Sequence, residues 1–154
     1  VHKCPDDYIS RWFSVLHRLF LSYIYDNLQD LNIGSGQIMF LVELYHQDGI
    51  SQEELSRYLN IDEANTARAI KKLEQEGYVK RIKDPEDKRA YKLYLTEKAL
   101  AAQSRIFTLI SSWEEQLLQN LSREERIVLT GLIKRVGHTV ADNLRCAECT
   151  QKCL

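Results

Sequence analysis

The hydrophobic period of this chain changes twice, and those changes restrict its fold more than any other feature. Before Gly77, apolar residues recur at every third or fourth position, the spacing of helix faces. From Tyr78 to Lys83 and from Ala90 to Leu95 the spacing drops to two. Tyr91, Leu93 and Leu95 alternate with Lys92 and Tyr94, so both stretches read as strands. The charged run Asp84-Pro85-Glu86-Asp87-Lys88-Arg89 joins them as a turn, and at Thr96 the helical spacing returns. A mainly α chain with a small β-hairpin is expected.

Local signals mark the helix ends. Pro5 followed by Asp6 and Asp7 reads as a helix opening, and Ile9, Trp12, Phe13, Leu16, Phe20, Tyr23, Asn27 and Leu31 then form one stripe over six turns. Gly34-Ser35-Gly36 interrupts it. Ile38, Leu41, Val42 and Tyr45 mark a second helix, stopped by Asp48-Gly49. Ser51-Gln52-Glu53-Glu54 is a capping box that opens a short helix through Leu55 and Leu59. After the tight turn Asn60-Ile61-Asp62, Asp62 caps another helix running to about Gly77. Thr66, Ala69, Ile70 and Leu73 share its inward face, while Asn65, Arg68 and Lys72 form an outward one with Lys71 beside it. Thr96 starts a long helix through Leu100, Phe107, Ile110, Trp113, Leu117 and Leu121. A second capping box, Ser122-Arg123-Glu124-Glu125, opens the last, with Val128, Leu129, Leu132, Val136, Val140 and Leu144.

The 154 residues suit one ordinary domain or two small lobes sharing a core. With 21 Lys+Arg against 22 Asp+Glu the net charge is −1, which excludes a uniformly basic coat for nucleic acid. The charges are nevertheless segregated. From Ala64 to Lys92 nine basic residues face five acidic ones, a local +4 that leaves −5 on the remainder. No apolar run approaches the roughly 20 residues that cross a bilayer, and VHKCPDDYIS has no apolar signal-peptide core. A cytoplasmic, non-membrane protein is expected.

Two short helices joined by a tight turn and followed by a hairpin make the pattern of a winged helix-turn-helix. The stretch GISQEELSRYLNIDEANTARAIKKLEQEGYVKRIKDPEDKRAYKLYLTEKA resembles the core of the MarR family of transcription regulators. The I-S-Q-E-E-L entry, the K-L-E-Q-E-G-Y-V-K-R joint, the D-P-E-D-K-R wing and the closing L-T-E-K carry the likeness, and the flanking long helices follow the family's order. The resemblance implies a homodimer with intertwined N- and C-terminal helices. Residues 1–33 and 97–154 would form the helical dimerisation lobe, and 34–96 the winged DNA-binding lobe. It further implies a double-stranded, pseudo-palindromic operator and, by the family's usual behaviour, repression. Carried over by motif, Asn65, Arg68, Lys71 and Lys72 face the major groove. Arg89 enters the minor groove beside Lys88, and Asp87 orients it. Asn and Arg chemistry suits adenine and guanine edges, and Gln52 near a helix N-terminus suits a phosphate. Ala64 and Ala67 stand where the family often has hydroxyl residues, and Ala99 where a glycine is common.

The signal sensed is a separate question. Family members respond to phenolic ligands, thiol oxidation or metals. Trp12, Phe13, His17, Phe20, Tyr23 and Tyr25 would line a ligand pocket or pack as dimer core. All the cysteines sit at the ends: Cys4, Cys146, Cys149 and Cys153, with none between positions 5 and 145. In the implied dimer both termini belong to one lobe, so the thiols would be neighbours and suit Zn²⁺ or an iron–sulfur cluster. Along a continuous helix Cys146 and Cys153 would be about 10 Å apart, too far for one zinc unless the tail unwinds near Thr150; a cluster relaxes that limit. Reversible thiol oxidation without metal, and inert thiols, are the alternatives. An enzyme is not expected: no nucleophile elbow, P-loop or dinucleotide motif occurs, and C-x2-C lacks the βαβ setting of a thiol oxidoreductase. Replacing Arg89 by Ala is expected to weaken operator binding by about 1–3 kcal/mol; unchanged affinity across a salt series would remove it from the interface.

Overall fold

A computed structural model of the chain describes residues 4–85, 87 and 90–140. Its elements are α1 (Ile9–Leu28), α2 (Ile38–His46), β1 (Ile50–Ser51), α3 (Gln52–Leu59), α4 (Glu63–Gln75), β2 (Val79–Lys83), β3 (Tyr91–Leu95), α5 (Glu97–Leu118) and α6 (Arg123–Val140). The strands form an antiparallel sheet in the order β1-β3-β2, with Val79 opposite Leu95 and Lys83 opposite Tyr91. The predicted caps form. Ser51 Oγ accepts from the Glu54 N–H at 3.1 Å while Glu54 Oε2 accepts from the Ser51 N–H at 2.8 Å. Ser122 and Glu125 repeat that reciprocal pair at the start of α6.

Two features differ from the sequence expectation, and one goes beyond it. Pro5–Asp7 make a 3-10 turn rather than the first turn of a long helix, because Tyr8 is extended and α1 starts only at Ile9. The apolar stripe on α1 is covered only in part within one chain. Ile24 and Leu28 enter the core, whereas Ile9, Trp12 and Phe13 remain 70%, 49% and 42% exposed, since only the C-terminal half of the helix lies over the winged lobe. The hairpin also gains a third strand. β1 is two residues long, too short to show a period, and pairs Ile50 with Leu93. Asp48 and Gly49 set that edge: Gly49 N–H donates to Leu93 O at 2.9 Å and Asp48 Oδ1 accepts from Leu95 N–H at 2.9 Å.

One apolar core connects the described residues. It runs from Ile24 and Leu28 of α1 through Leu41 and Leu44 of α2, Leu55 of α3 and Ile70 and Leu73 of α4. Leu93 of β3 and Ala99, Ala102 and Ile106 of α5 complete it. Tyr78 is fully buried, yet its hydroxyl donates to Leu31 O at 2.8 Å, so the polar atom is satisfied.

The corner between α4 and β2 is a Schellman turn. Tyr78 N–H donates to Leu73 O at 2.8 Å and Gly77 N–H to Glu74 O at 3.0 Å, around Gly77 at φ +76°. A Cβ on Gly77 would have room, with Lys98 Cδ nearest at 4.0 Å. At Gly49, with φ +79°, a Cβ would meet the Tyr94 ring at 3.0 Å. Gly77→Ala is therefore expected to cost about 1–2 kcal/mol from backbone conformation alone, and Gly49→Ala more. Equilibrium urea unfolding measures both, and equal or negligible losses would contradict this account.

Candidate nucleic-acid interface

α3 and α4 form the helix-turn-helix, and their joint follows from local chemistry. Asn60 takes the left-handed conformation at φ 51°, and the Ile61 N–H closes onto Ser56 O at 3.0 Å, ending α3 within one turn. Asp62 then caps α4, accepting from the Asn65 N–H at 2.8 Å. Thr66, Ala69, Ile70 and Leu73 are buried as expected, which turns the opposite face outward. On that face Asn65, Arg68 and Lys71 are exposed. Asn65 Nδ2 donates to Asp62, and Arg68 donates to Asn65 Oδ1.

Lys72 behaves differently from its expected neighbours. It is half-buried and paired with Glu76 at 2.6 Å, one turn along α4. Glu76 also accepts from Asn32 Nδ2 at 3.1 Å, and these two donors, Lys72 first, hold its carboxyl below the usual carboxylate range. Lys98 of α5 donates to Glu76 O at 2.6 Å and lies 4.3 Å from the Tyr78 ring centroid. Lys72 thus also takes part in a joint between α4, the α1–α2 connection and α5.

Gln52, expected near a phosphate, is half-buried at the start of α3. Its Oε1 accepts from Arg81 Nη2 at 3.2 Å, and Arg81 Nε also meets Glu74 Oε2 at 3.0 Å. Arg81 therefore ties β2 to both helices. Sequence reasoning missed this role, because a cation on an alternating strand gives no sign of its partner on another element. In the wing, Asp87 is exposed and its carbonyl accepts from the Ala90 N–H at 2.9 Å, while Asp84 pairs with Lys92 at 3.4 Å. Lys88 and Arg89 lie outside the described residues.

The α1 residues read as ligand pocket or dimer core do not converge on one pocket within one chain. Phe20 and Tyr23 pack on Trp113 at 5.9 and 5.3 Å, whereas Trp12, Phe13, His17 and Tyr25 are exposed. Beside them α1 and α5 leave an open crevice of about 420 Å³, lined by Tyr23, Asn27, Arg105 and Thr108 among others. Arg105 is fixed there by a bidentate pair with Asp30 at 2.5 and 2.7 Å, which lowers the Asp30 carboxyl. Of the four cysteines Cys4 is exposed, and Cys146, Cys149 and Cys153 lie outside the described residues. Among the described residues no cluster of His, Cys, Asp and Glu side chains suits a metal ion, and no helix is long and apolar enough to cross a membrane.

Comparison with known proteins agrees with this architecture. A family model described as MarR family matches residues 33–91. The HTH-type transcriptional regulator YybA of Bacillus subtilis is 32% identical over 73% of this chain and 75% of its own length. The regulator BilQ of Clostridium symbiosum is 31% identical over 78% and 83%. Among solved structures, a MarR transcriptional regulator from Methanosarcina mazei is 38% identical, covers 88% of this chain and 91% of that one, and superposes with a TM-score of 0.81. A MarR-family regulator from Listeria monocytogenes, solved with a 26mer DNA, is 30% identical over 89% and 91%, with a TM-score of 0.82.

The carboxyls of Asp30, Glu54, Asp62 and Glu76 are all held below their ordinary values by hydrogen-bond donors. Each contributes stability that is complete above its unfolded pKa of 3.8 (Asp) or 4.5 (Glu) and is lost as pH falls through the lower folded value. The urea midpoint is expected to fall below pH 4.5, and Glu76→Gln, which cannot ionise, should flatten part of that fall. A midpoint unchanged from pH 7 to 3, or superimposable profiles for the two proteins, would refute this assignment.

Proposed function

The chain belongs to the MarR family of transcription regulators, and from that premise we propose that it is a homodimeric repressor that binds a pseudo-palindromic operator. The observation that carries the reading is the division of α4. Its buried face anchors the helix in the core, and its opposite face offers Asn65, Arg68 and Lys71 to solvent within a locally cationic segment. In this reading α4 lies in the major groove, and the wing, with Asp87, Lys88 and Arg89, follows the adjacent minor groove. Gln52, held by Arg81, meets a phosphate at the α3 N-terminus.

Two copies satisfy the remaining apolar surface. Ile9, Trp12 and Phe13 precede the core-packed part of α1, and Ile127, Val128, Leu132, Ile133 and Val136 on α6 are all about half exposed or more. Pairing these helices across a two-fold axis removes that surface from water and sets two recognition helices about 34–36 Å apart, one turn of DNA. Residues 1–33 and 97–154 are in this reading the dimerisation lobe, and 34–96 the winged lobe.

The placement of every cysteine within the terminal residues favours a switch in the dimerisation lobe. In this reading Cys4, Cys146, Cys149 and Cys153 bind Zn²⁺ or an iron–sulfur cluster and bias the spacing between recognition helices. Anaerobic purification followed by absorption spectroscopy and metal analysis tests it, and colourless, metal-free protein from metal-replete cells counts against it. A phenolic ligand in the crevice between α1 and α5, or thiol oxidation alone, is then the remaining route.

DNA binding is tested by fluorescence anisotropy across a salt series, using a duplex selected by the protein from a randomised pool. The logarithm of affinity should fall linearly with the logarithm of salt, and Lys71→Ala should reduce the slope by about two, one for each subunit, while weakening all sequences alike. Salt-independent binding, or no binding, would remove the regulator reading of this face.

A further inference from the structure

The outward face of α4 holds three side chains joined in a fixed order. Asp62 receives two hydrogen bonds from Asn65, one from the backbone N–H at 2.8 Å and one from the side-chain Nδ2. Asn65 Oδ1 in turn accepts from Arg68 Nη2. The residues are spaced i, i+3, i+6 and all are exposed, so the chain of bonds lies on the solvent side of the first two turns. Its polarity is set by the two ends: a carboxylate can only accept and a guanidinium can only donate. The amide between them must therefore point its nitrogen at Asp62 and its oxygen at Arg68.

This arrangement changes what Asn65 can do. An asparagine that reads adenine turns Oδ1 and Nδ2 together onto N6 and N7. Here one amide hydrogen goes to Asp62 and one lone pair of Oδ1 to Arg68, which fixes the amide's orientation and leaves it one donor and one acceptor. Arg68 keeps more in reserve. It has five N–H donors and gives one to Asn65, which leaves enough for the paired contact with O6 and N7 of guanine. Ordering a long side chain is one of the costs of binding, and the contact with Asn65 meets part of it before DNA arrives.

We propose that Asp62 and Asn65 are positioning residues that hold the Arg68 guanidinium, and that Arg68 determines specificity by reading a guanine in each half-site. The proposal rests on the operator-binding reading above. The lowered Asp62 carboxyl, due first to the Asn65 N–H and then to the Asn65 amide, keeps the accepting end charged at neutral pH.

Asp62→Asn separates positioning from folding. Asparagine caps a helix as well as aspartate, so α4 is retained. Its own amide nitrogen, when Oδ1 stays on the cap, faces the Asn65 nitrogen and two donors oppose each other. Asn65→Ala removes the middle of the relay at an exposed position without touching the cap, and Arg68→Ala is the reference for loss of the reader. The wild-type dimer first selects a duplex from a randomised pool; affinities are then measured for that duplex and for every single base-pair change in one half-site. For the wild type, replacing one guanine should cost about tenfold or more. Arg68→Ala should abolish that penalty, and Asp62→Asn and Asn65→Ala should each reduce it to about threefold or less at the same position. Circular dichroism for both should match the wild type, with the urea midpoint unchanged for Asn65→Ala and slightly lower for Asp62→Asn, which loses the contribution of the carboxylate. The relay is overturned if both positioning variants keep the full penalty while Arg68→Ala loses it, or if Arg68→Ala keeps it too. A wild-type chain that selects no sequence removes the operator-binding reading itself, and the relay with it.

Discussion

The corner at Gly77 is where the requirements of the recognition helix and the wing meet. Leu73 sends its side chain into the core and its carbonyl to the Tyr78 N–H, so the last buried residue of α4 and the first residue beyond the turn are held by one hydrogen bond. Only a left-handed residue between them lets the chain reverse that sharply. Tyr78 then fills the space under α5 with its ring and reaches Leu31 with its hydroxyl. Glu76, one residue before the glycine, gathers Lys72, Asn32 and Lys98. The direction of α4 is thereby referred to α1, α5 and the wing through adjacent residues.

Charge explains why a nearly neutral protein is compatible with a polyanionic partner. Three of the five acids inside the cationic segment are paired: Glu74 meets Arg81, Glu76 meets Lys72, and Asp84 meets Lys92. Lys71 and Lys80, by contrast, are exposed and form no ion pair among the described residues. Pairing thus concentrates at the joints of the lobe and leaves cations on its surface. These partly exposed pairs add little to stability individually, since solvent still screens them, but they fix where neighbouring side chains point.

Much of this was legible in the sequence because the relevant forces act within a few residues. Ser51 with Glu54, Ser122 with Glu125, and Asp62 before α4 are caps whose partners lie three positions away. The inward set Thr66, Ala69, Ile70 and Leu73 follows from helical spacing alone. What escaped depends on partners distant in sequence. β1 exists because Leu93 and Leu95 arrive beside Asp48–Ser51, and Arg81 is fixed by Gln52 and Glu74. Lys72 has the spacing to share a face with Arg68, and spacing alone does not tell that it also pairs with Glu76. Asn65 carries the residue type of a base reader, and its side-chain contacts with Asp62 and Arg68 show only in the structure. For the early residues of α1, periodicity reports that a face is apolar, not what covers it.

α5 gives the fold a mechanical character. Its 22 residues span about 33 Å as a straight rod, with Ala99, Ala102 and Ile106 embedded in the same core as α4, and Trp113 two turns further on, against Phe20 and Tyr23 of α1. One continuous helix therefore touches the core that seats α4 near its start and the α1 aromatics near its end, so both are referred to the same axis.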